Sequence, residues 1–244
     1  MILRAAASTD VGLRRKENED RYALSPELGF YLVADGMGGH TAGQVASELA
    51  AETSLRAIQT LEGAATSLAE RLRYAVAAAN RAIYSHAQQH EEYAGMGTTL
   101  VAFLADEERA ALAHVGDSRA YLIRGSRIRQ LTDDHSIVGE LLRRREISED
   151  AAREHPHRHV LTRALGVRRS VEPDLVELAL EPGDIFVLCS DGLTNHVEDH
   201  EIAKRVCGGG DDLQEISEQL IDLANSRGGE DNSTVLLARC EKTG

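Results

Sequence analysis

The stretch YLVADGMGGH, residues 31–40, ends an apolar run with an aspartate and follows it with three glycines and one methionine. Residues 29–34, GFYLVA, have the aromatic and β-branched content of a strand, so Asp35 and Gly36 lie where that strand ends. Three interpretations compete here: a tight turn, a phosphate-binding loop and a set of metal ligands. An Asp-Gly pair alone favours the turn, because glycine tolerates a positive φ and aspartate can bond its own backbone.

The composition of the chain is acidic and its cysteines are few. The 244 residues include 40 Asp and Glu against 27 Lys and Arg, which disfavours a nucleic-acid partner bound through phosphates. No apolar run reaches the roughly eighteen residues of a membrane span, and the N-terminus lacks a signal-peptide pattern. The three cysteines are far apart and form no CxxC pair. We expect one soluble, cytoplasmic domain over residues 1–244.

Strands and helices are predicted in blocks along the chain. The apolar patterns predict strands at 2–9, 21–24, 29–34, 98–105, 109–115, 120–125, 175–180, 184–190 and 234–239. Helical periodicity predicts helices at about 41–61, 67–89 and 211–225, with a short helix within 136–145. This order indicates antiparallel strands with helices on the outer faces of the sheets, an α+β arrangement.

Other strands end in the same way as the strand before Asp35. Aspartates beside glycine or serine follow apolar runs in HVGDS (114–118) and CSDG (189–192), and EDNST (230–234) precedes the last strand. Carboxylates that converge at one edge of a sheet repel each other unless a cation lies between them. Oxygen ligands suit Mg²⁺ or Mn²⁺, and Gly36 would let its carbonyl approach an ion closely. A phosphate loop is disfavoured, because neither GxGxxG nor GK[ST] is present.

Seven motifs together resemble one family. They are TDVGLRRKENED (9–20), VADGMGGHTAGQVAS (33–47), GMGTTL (95–100), HVGDSRAYL (114–122), LTRALG (161–166), SDGLTN (190–195) and EDNSTV (230–235). In this order they closely resemble the metal-dependent type 2C (PPM) protein serine/threonine phosphatases in their compact bacterial form. The resemblance implies a four-layer α/β/β/α sandwich of two antiparallel sheets, with a flap subdomain at about 133–170.

The resemblance also implies an activity. Phosphoserine and phosphothreonine on proteins would be hydrolysed by a hydroxide that bridges two Mn²⁺ or Mg²⁺ ions, with a third ion nearby. The expected partners are phosphorylated proteins and a bacterial Ser/Thr kinase whose action the enzyme opposes. We expect a monomer that binds no nucleic acid and has no membrane span.

Four positions match the residues that hold the first metal of the family. Asp35 resembles the carboxylate that bridges two metals, and Gly36 resembles the residue that lends its carbonyl. Asp191 and Asp231 resemble the other ligands of the first metal.

Four further positions match residues around the second and third metals and the phosphate. Glu19 resembles the residue that holds the waters of the second metal, with Asp20 behind it, and Asp117 resembles a ligand of the third. Arg15 matches the arginine that grips the substrate phosphate through a planar fork of donors. Its neighbours Arg14 and Lys16 are interpreted as solvated charges.

One position departs from the family pattern. Many eukaryotic members have a histidine directly after the metal-binding Asp-Gly, where it is a candidate general acid, but Met37 occupies that position here. His40 is a possible replacement, although the start of a helix equally explains a polar residue there.

Two other function classes remain open at this point. A regulatory module could bind phosphoproteins without catalysis, but such a module has no chemical reason to keep the full carboxylate set. A metal-dependent hydrolase of small phosphate esters is not distinguished from a protein phosphatase by these residues.

Overall fold

The computed structural model describes residues 1–39 and 41–242, and its strands form two antiparallel sheets. Within these residues lie eleven strands: β1 (Ile2–Asp10), β2 (Asp20–Ser25), β3 (Phe30–Met37), β4 (Gly97–Thr98), β5 (Leu100–Ala105), β6 (Arg109–Val115), β7 (Arg119–Arg124), β8 (Arg127–Gln130), β9 (Asp174–Ala179), β10 (Ile185–Cys189) and β11 (Ser233–Glu241). The first sheet has the order β1-β11-β10-β7-β8. The second has the order β2-β3-β5-β6-β9, with the short β4 paired to β3.

Seven α-helices lie in the described residues: α1 (Thr41–Thr60), α2 (Leu68–Gln89), α3 (Ile137–Arg143), α4 (Glu149–Arg153), α5 (Asp191–Thr194), α6 (Asp199–Gly208) and α7 (Leu213–Ser226). The start of α2 agrees with the prediction, because Ser67 and Glu70 form a capping box there. None of the described helices combines the length and the apolar composition that crossing a bilayer requires.

The alternating side chains of β3 show how the layers pack. Leu32 points into the core between the second sheet and helices α1 and α2. Its neighbours Tyr31 and Val33 belong to a separate core between the two sheets, where Phe103 and Phe186 pack with ring centroids 4.4 Å apart. Helices α6 and α7 cover the outer face of the first sheet. The order of layers is therefore α/β/β/α, which confirms the predicted fold class.

Four elements were not predicted, because their residues are mostly polar. The helix α6 buries only Ile202, Ala203 and Val206, so its apolar pattern is too short to read from sequence. The strand β8, with the sequence RIRQ, lies at the edge of the first sheet, where charged side chains are tolerated. The short helices α4 and α5 have five and four residues.

The segment expected to form the flap contains α3 and α4. One isolated β-bridge, from Leu165 to Thr98, connects it to its surroundings, and a second, from Leu161 to Ser136, lies within it. The assignment of 133–170 as a flap subdomain within a single domain over 1–244 stays a prediction.

Candidate active site

Four of the predicted aspartates line one cleft of about 2380 Å³. Asp35 lies on β3 of the second sheet, and Asp117 follows β6 of the same sheet. Asp191 follows β10 of the first sheet, and Asp231 precedes β11. The cleft therefore lies where strand ends of two sheets meet, whereas the strand-end pattern had indicated the edge of a single sheet.

The electrostatics of the cluster reflect this convergence. Burial raises the pKa of Asp35 well above its ordinary value, and the charges of Asp20, Asp191, Asp117 and Asp231 raise it further. Burial and the charge of Asp231 likewise raise the pKa of Asp191, while a hydrogen bond of 3.1 Å from the Asn195 side chain opposes the rise. Buried carboxyl groups that repel one another in this way cannot all ionise near neutral pH unless positive charge is supplied.

Asp20 lies beneath the cleft, where the two sheets meet. Its Oδ2 atom accepts hydrogen bonds of 2.7 Å from the hydroxyls of Ser190 and Thr234, both of which belong to the first-sheet side. Its Oδ1 atom is buried and has no hydrogen-bond partner among the described residues. Burial, as the largest cause, raises the pKa of Asp20 from 3.8 to about 7. Asp20 is therefore a buried acid that joins the sheets and has one oxygen still unsatisfied.

The glycines of the site permit close backbone packing around Glu19. A Cβ on Gly36 would collide with the carbonyl of Gly43 and approach the Glu19 carbonyl to 2.6 Å. A Cβ on Gly43 would collide with the Glu19 carboxylate. The Glu19 carbonyl accepts from the Gly36 amide (3.2 Å) and from the Ser47 hydroxyl (2.5 Å). Sequence reasoning explained Gly36 by access of its carbonyl to an ion, and the structure adds this packing requirement.

Asn232 holds the loop that carries Glu19, a role that sequence reasoning missed. Its Oδ1 accepts from the Glu19 amide at 2.8 Å. Its Nδ2 donates to the carbonyls of Val11 (2.9 Å) and Glu17 (3.0 Å). The backbone N–H of Asn232 also donates to the Asp231 carboxylate at 2.8 Å. One buried side chain thus aligns the Glu19 loop with Asp231, and the only sequence signal was its position inside EDNST.

Arg15 reaches into the cleft from the loop between β1 and β2. Its Nη2 lies 2.7 Å from Oδ2 of Asp231, and the side chain is half exposed. Arg14 and Lys16 also line the cleft, but they have no acidic partner in the described part of the chain. The structure thus places Arg15 beside the carboxylates, and its role in gripping the substrate phosphate stays a prediction. The proposed general acid His40 lies outside the described residues.

The Asp117 loop is supported by a network that the sequence did not reveal. Arg119 makes a two-pronged ion pair with Asp134, with N···O distances of 2.9 and 2.7 Å. The Nδ1 atom of His135 accepts from the amide of Gly116 at 3.1 Å, and the Gly116 carbonyl accepts from the His135 amide at 2.7 Å. Burial raises the pKa of Asp117 well above its ordinary value, and Asp191 and Asp134 raise it further.

The same histidine, which lies near the start of the segment expected to form the flap, contacts a residue near the end of that segment. The His135 carbonyl accepts from the Thr162 amide at 2.8 Å, and its Nε2 lies 3.2 Å from Oδ2 of Asp174. Asp174 in turn pairs with Arg163 at 2.6 Å. The His135 ring packs at 4.5 Å on His114, which is buried and lacks hydrogen-bond partners among the described residues. His135 therefore connects the Asp117 loop to residues 162–163.

The donor set fits hard divalent cations. All the acids are oxygen donors, the pKa values of Asp35, Asp117 and Asp191 are raised, and one buried oxygen of Asp20 has no hydrogen-bond partner among the described residues. Within residues 1–39 and 41–242, no three His, Cys, Asp or Glu side chains are grouped closely enough to hold an ion on their own. Mg²⁺ commonly uses one or two carboxylates and keeps several waters, so an ion here would be completed by water.

Comparisons with known proteins agree with this geometry. The family described as Protein phosphatase 2C matches residues 7–233. The serine/threonine phosphatase Stp of Listeria monocytogenes is 41% identical over 246 residues, which cover 99% of this chain and 97% of that protein. The crystal structure of the Mycobacterium tuberculosis serine/threonine phosphatase PstP/Ppp is similar with a TM-score of 0.90 and 38% identity, covering 99% of this chain and 100% of that one.

A second similar structure contains metal. It is the catalytic domain of the serine/threonine protein phosphatase PstP in complex with two manganese ions, with a TM-score of 0.87, 37% identity and 99% coverage of both chains. The family match, the full-length relatives and the shared fold lead to one conclusion: this chain belongs to the protein phosphatase 2C family.

Proposed function

We propose that this chain is a metal-dependent phosphatase that hydrolyses phosphoserine and phosphothreonine on proteins. The observation that carries the proposal is the group of mutually repelling carboxylates on the floor of a cleft, with an arginine beside them. The proposal is supported by the family and by relatives named as serine/threonine phosphatases. It includes two Mn²⁺ or Mg²⁺ ions in the core site and a third nearby, and the similar structure with two manganese ions supports that part.

The roles at the first metal follow from position. Asp35 would help to hold both ions, as the resemblance implies, and it is the carboxyl group whose pKa is raised by four others, Asp20, Asp191, Asp117 and Asp231. Asp191 and Asp231 would hold the first ion together with the Gly36 carbonyl. When bound, the two ions acidify a water molecule and offset the charge of the phosphoryl group.

The remaining acids would act around this centre. Glu19 would hold waters of the second ion, and Asn232 keeps the backbone of Glu19 in place for that purpose. Asp20 would support it from beneath, and Asp117 would hold the third ion together with Asp191.

Arg15 would bind the phosphate of the substrate. One of its guanidinium nitrogens contacts Asp231, so the fork lies directly beside the proposed first metal. Its planar donors match the oxygens of a phosphoryl group. This match orients the phosphorus for in-line attack, and the guanidinium offsets the negative charge of the phosphoryl group. The P–O bond to serine or threonine breaks as the water oxygen bonds to phosphorus, and the leaving oxygen takes a proton. Solvent or His40 could supply that proton.

The size of the cleft favours a protein substrate over a small ester. Its volume of about 2380 Å³ exceeds the roughly 300–1,000 Å³ of pockets that enclose small molecules. We further propose that the enzyme acts as a monomer in the cytoplasm, where it opposes a Ser/Thr kinase. The well-separated cysteines support a reducing compartment.

The proposal is tested by turnover and by metal binding. Purified protein is assayed on a phosphothreonine peptide and on a small aryl phosphate, with Mn²⁺ and with chelator, while calorimetry counts the ions bound. We expect peptide turnover that requires metal, two or three ions per chain, and loss of turnover in Asp35→Ala and Asp191→Ala. The exposed Asp222→Asn serves as a control for charge removal. Activity that survives chelation, or turnover of the aryl phosphate alone, would contradict the proposal.

A further inference from the structure

The basic side chains that line the cleft divide into two groups. Nine arginines and lysines line it, and five of them are already ion-paired: Arg15 with Asp231, Arg119 with Asp134, Arg153 with Glu198, Arg163 with Asp174, and Arg227 with Glu201. Four have no acidic partner in the described part of the chain: Arg14, Lys16, Arg158 and Arg168. All four are exposed. We call these four residues the basic rim.

The basic rim contrasts with the rest of the molecule. The chain carries a net charge of −13, and the floor of the cleft consists of carboxylates. Residues 155–169, HPHRHVLTRALGVRR, nevertheless contain four arginines and no acidic residue. Arg163 pairs with Asp174, but the other three arginines of this stretch have no acidic partner in the described part of the chain, so the stretch carries unpaired positive charge in an otherwise acidic protein.

The backbone that carries Arg168 is fixed relative to the carboxylates. The buried Asn80 of α2 donates to the carbonyls of Arg168 (3.1 Å) and Arg169 (3.2 Å) and accepts from the Gly166 amide (2.9 Å). The adjacent Leu165 bridges to Thr98, whose hydroxyl donates to the Asp35 carbonyl at 2.8 Å. Arg168 is thus held on a preorganised support that leads to Asp35, and preorganisation lowers the entropic cost of binding.

The rim residues lie on two different segments around the reaction centre. Arg14 and Lys16 flank Arg15, which contacts Asp231, so their loop borders the proposed phosphate position. Arg158 and Arg168 belong to the segment that includes α3 and α4. Between them in sequence, Val160 and Val167 also line the cleft and are 42% and 50% exposed. An extended peptide crossing the cleft would meet unpaired positive charge on both segments and apolar contacts on one, and it would also pass the exposed Glu17 and Glu154.

We propose that the basic rim binds acidic side chains that flank the phosphorylated residue, so that the preferred substrates are phosphoproteins with Asp or Glu around the phosphosite. This inference rests on the proposed phosphatase function and adds the substrate class. Unpaired, exposed cations at the rim attract an acidic segment and raise its association rate. They also compensate for the repulsion between that segment and the net negative protein.

The first test compares three phosphothreonine peptides that share the central residue and differ only in flanks of Asp/Glu, Ala/Ser or Lys. We expect kcat/KM to be about tenfold higher for the acidic than for the neutral peptide at low salt, mainly through KM, and lowest for the lysine peptide. About 1 M salt, with a Debye length of about 3 Å, should largely remove the difference. Equal kcat/KM for the three peptides would overturn the inference.

The second test uses neighbouring arginines as a matched pair. Arg169 is exposed and has no acidic partner among the described residues, like Arg168, but it does not line the cleft. We expect Arg168→Glu to lower kcat/KM for the acidic peptide about fivefold and to raise it for the lysine peptide, whereas Arg169→Glu leaves the preference unchanged. Equal effects of both substitutions would show general charge steering and would contradict a role of the rim.

Peptide binding separates this inference from the proposed function. Fluorescence anisotropy measures the affinity of each labelled peptide without turnover. Preferential binding of the acidic peptide without hydrolysis would support the rim and contradict the phosphatase proposal. Hydrolysis without any preference would contradict the rim alone.

Discussion

Substitution of Asp20 by asparagine tests whether the carboxylates beneath the cleft are strained when no cation is present. The folded protein raises the pKa of Asp20 from 3.8 to about 7, chiefly through burial. A raised pKa means that this group stabilises the fold at pH values below 3.8 and loses that contribution as the pH rises through about 7. In chelator, the wild-type protein should therefore become less stable between pH 4 and pH 8.

The magnitude follows from the size of this pKa change. A pKa raised from 3.8 to about 7 corresponds to about 4 kcal/mol of unfolding free energy. Asparagine keeps an oxygen to accept from Ser190 and Thr234, but its amide group would be buried without a partner, which costs about 1 kcal/mol. We therefore expect Asp20→Asn to be about 3 kcal/mol more stable than wild type at pH 8 and slightly less stable at pH 4.

The assay is urea unfolding followed by far-UV circular dichroism, because the chain has no tryptophan. Asp222→Asn, an exposed aspartate on α7, removes the same charge at the surface and should change the unfolding free energy little. Mn²⁺ should stabilise the wild type more than Asp20→Asn, because binding to the folded state alone raises its stability. A stability difference that does not vary with pH, or a less stable Asp20→Asn at pH 8, would refute the reasoning.

Three further substitutions probe the support of the site. Gly36→Ala should abolish activity and destabilise the fold by about 2 kcal/mol or more in urea unfolding, because its methyl group meets the Gly43 and Glu19 backbones; unchanged stability would contradict this packing. Asn232→Ala should lower the free energy of unfolding by about 3 kcal/mol and reduce turnover, because it leaves three backbone groups without their partner. Wild-type turnover in this variant would contradict a positioning role of Asn232. Burial lowers the pKa of His114 from 6.5 to about 3, so the free energy of unfolding of the wild type should fall by about 2 kcal/mol between pH 6.5 and pH 5. His114→Leu should lack that loss in parallel urea titrations. Identical pH profiles would exclude a neutral buried histidine.

The parts of the fold that were predictable are those with long buried faces. β3 is buried on both faces and α2 buries one face against the second sheet, so their type and approximate bounds follow from sequence. α6 and β8 contact the core on few residues, and their polar sequences read as loops. Local apolar patterns indicate burial, whereas the positions of α6 and β8 depend on contacts with segments that are distant in sequence.

The features of the site likewise divide into those that could be predicted from the sequence and those that could not. Strand-end aspartates could be grouped from sequence because strand ends share an edge, and Asp35, Asp117, Asp191 and Asp231 do line one cleft. The hydrogen bond from the Glu19 amide to Asn232 joins residues 213 positions apart, and no local pattern indicates such a pair. The connection of His135 to Gly116 and Thr162 depends equally on how separate segments meet.

The position of β11 has a consequence for synthesis of the protein. β11 pairs with β1 along nine residues on one side and with β10 on the other, so it is an interior strand of the first sheet. β1 leaves the ribosome early but must wait for more than two hundred further residues before this partner exists. Such distant pairing slows folding and exposes strand edges in the meantime. Because Asp231 and Asn232 directly precede β11, the nascent chain cannot complete the proposed reaction centre before these residues and β11 have been synthesised, and we expect a ribosome-bound fragment lacking them to have no competent site.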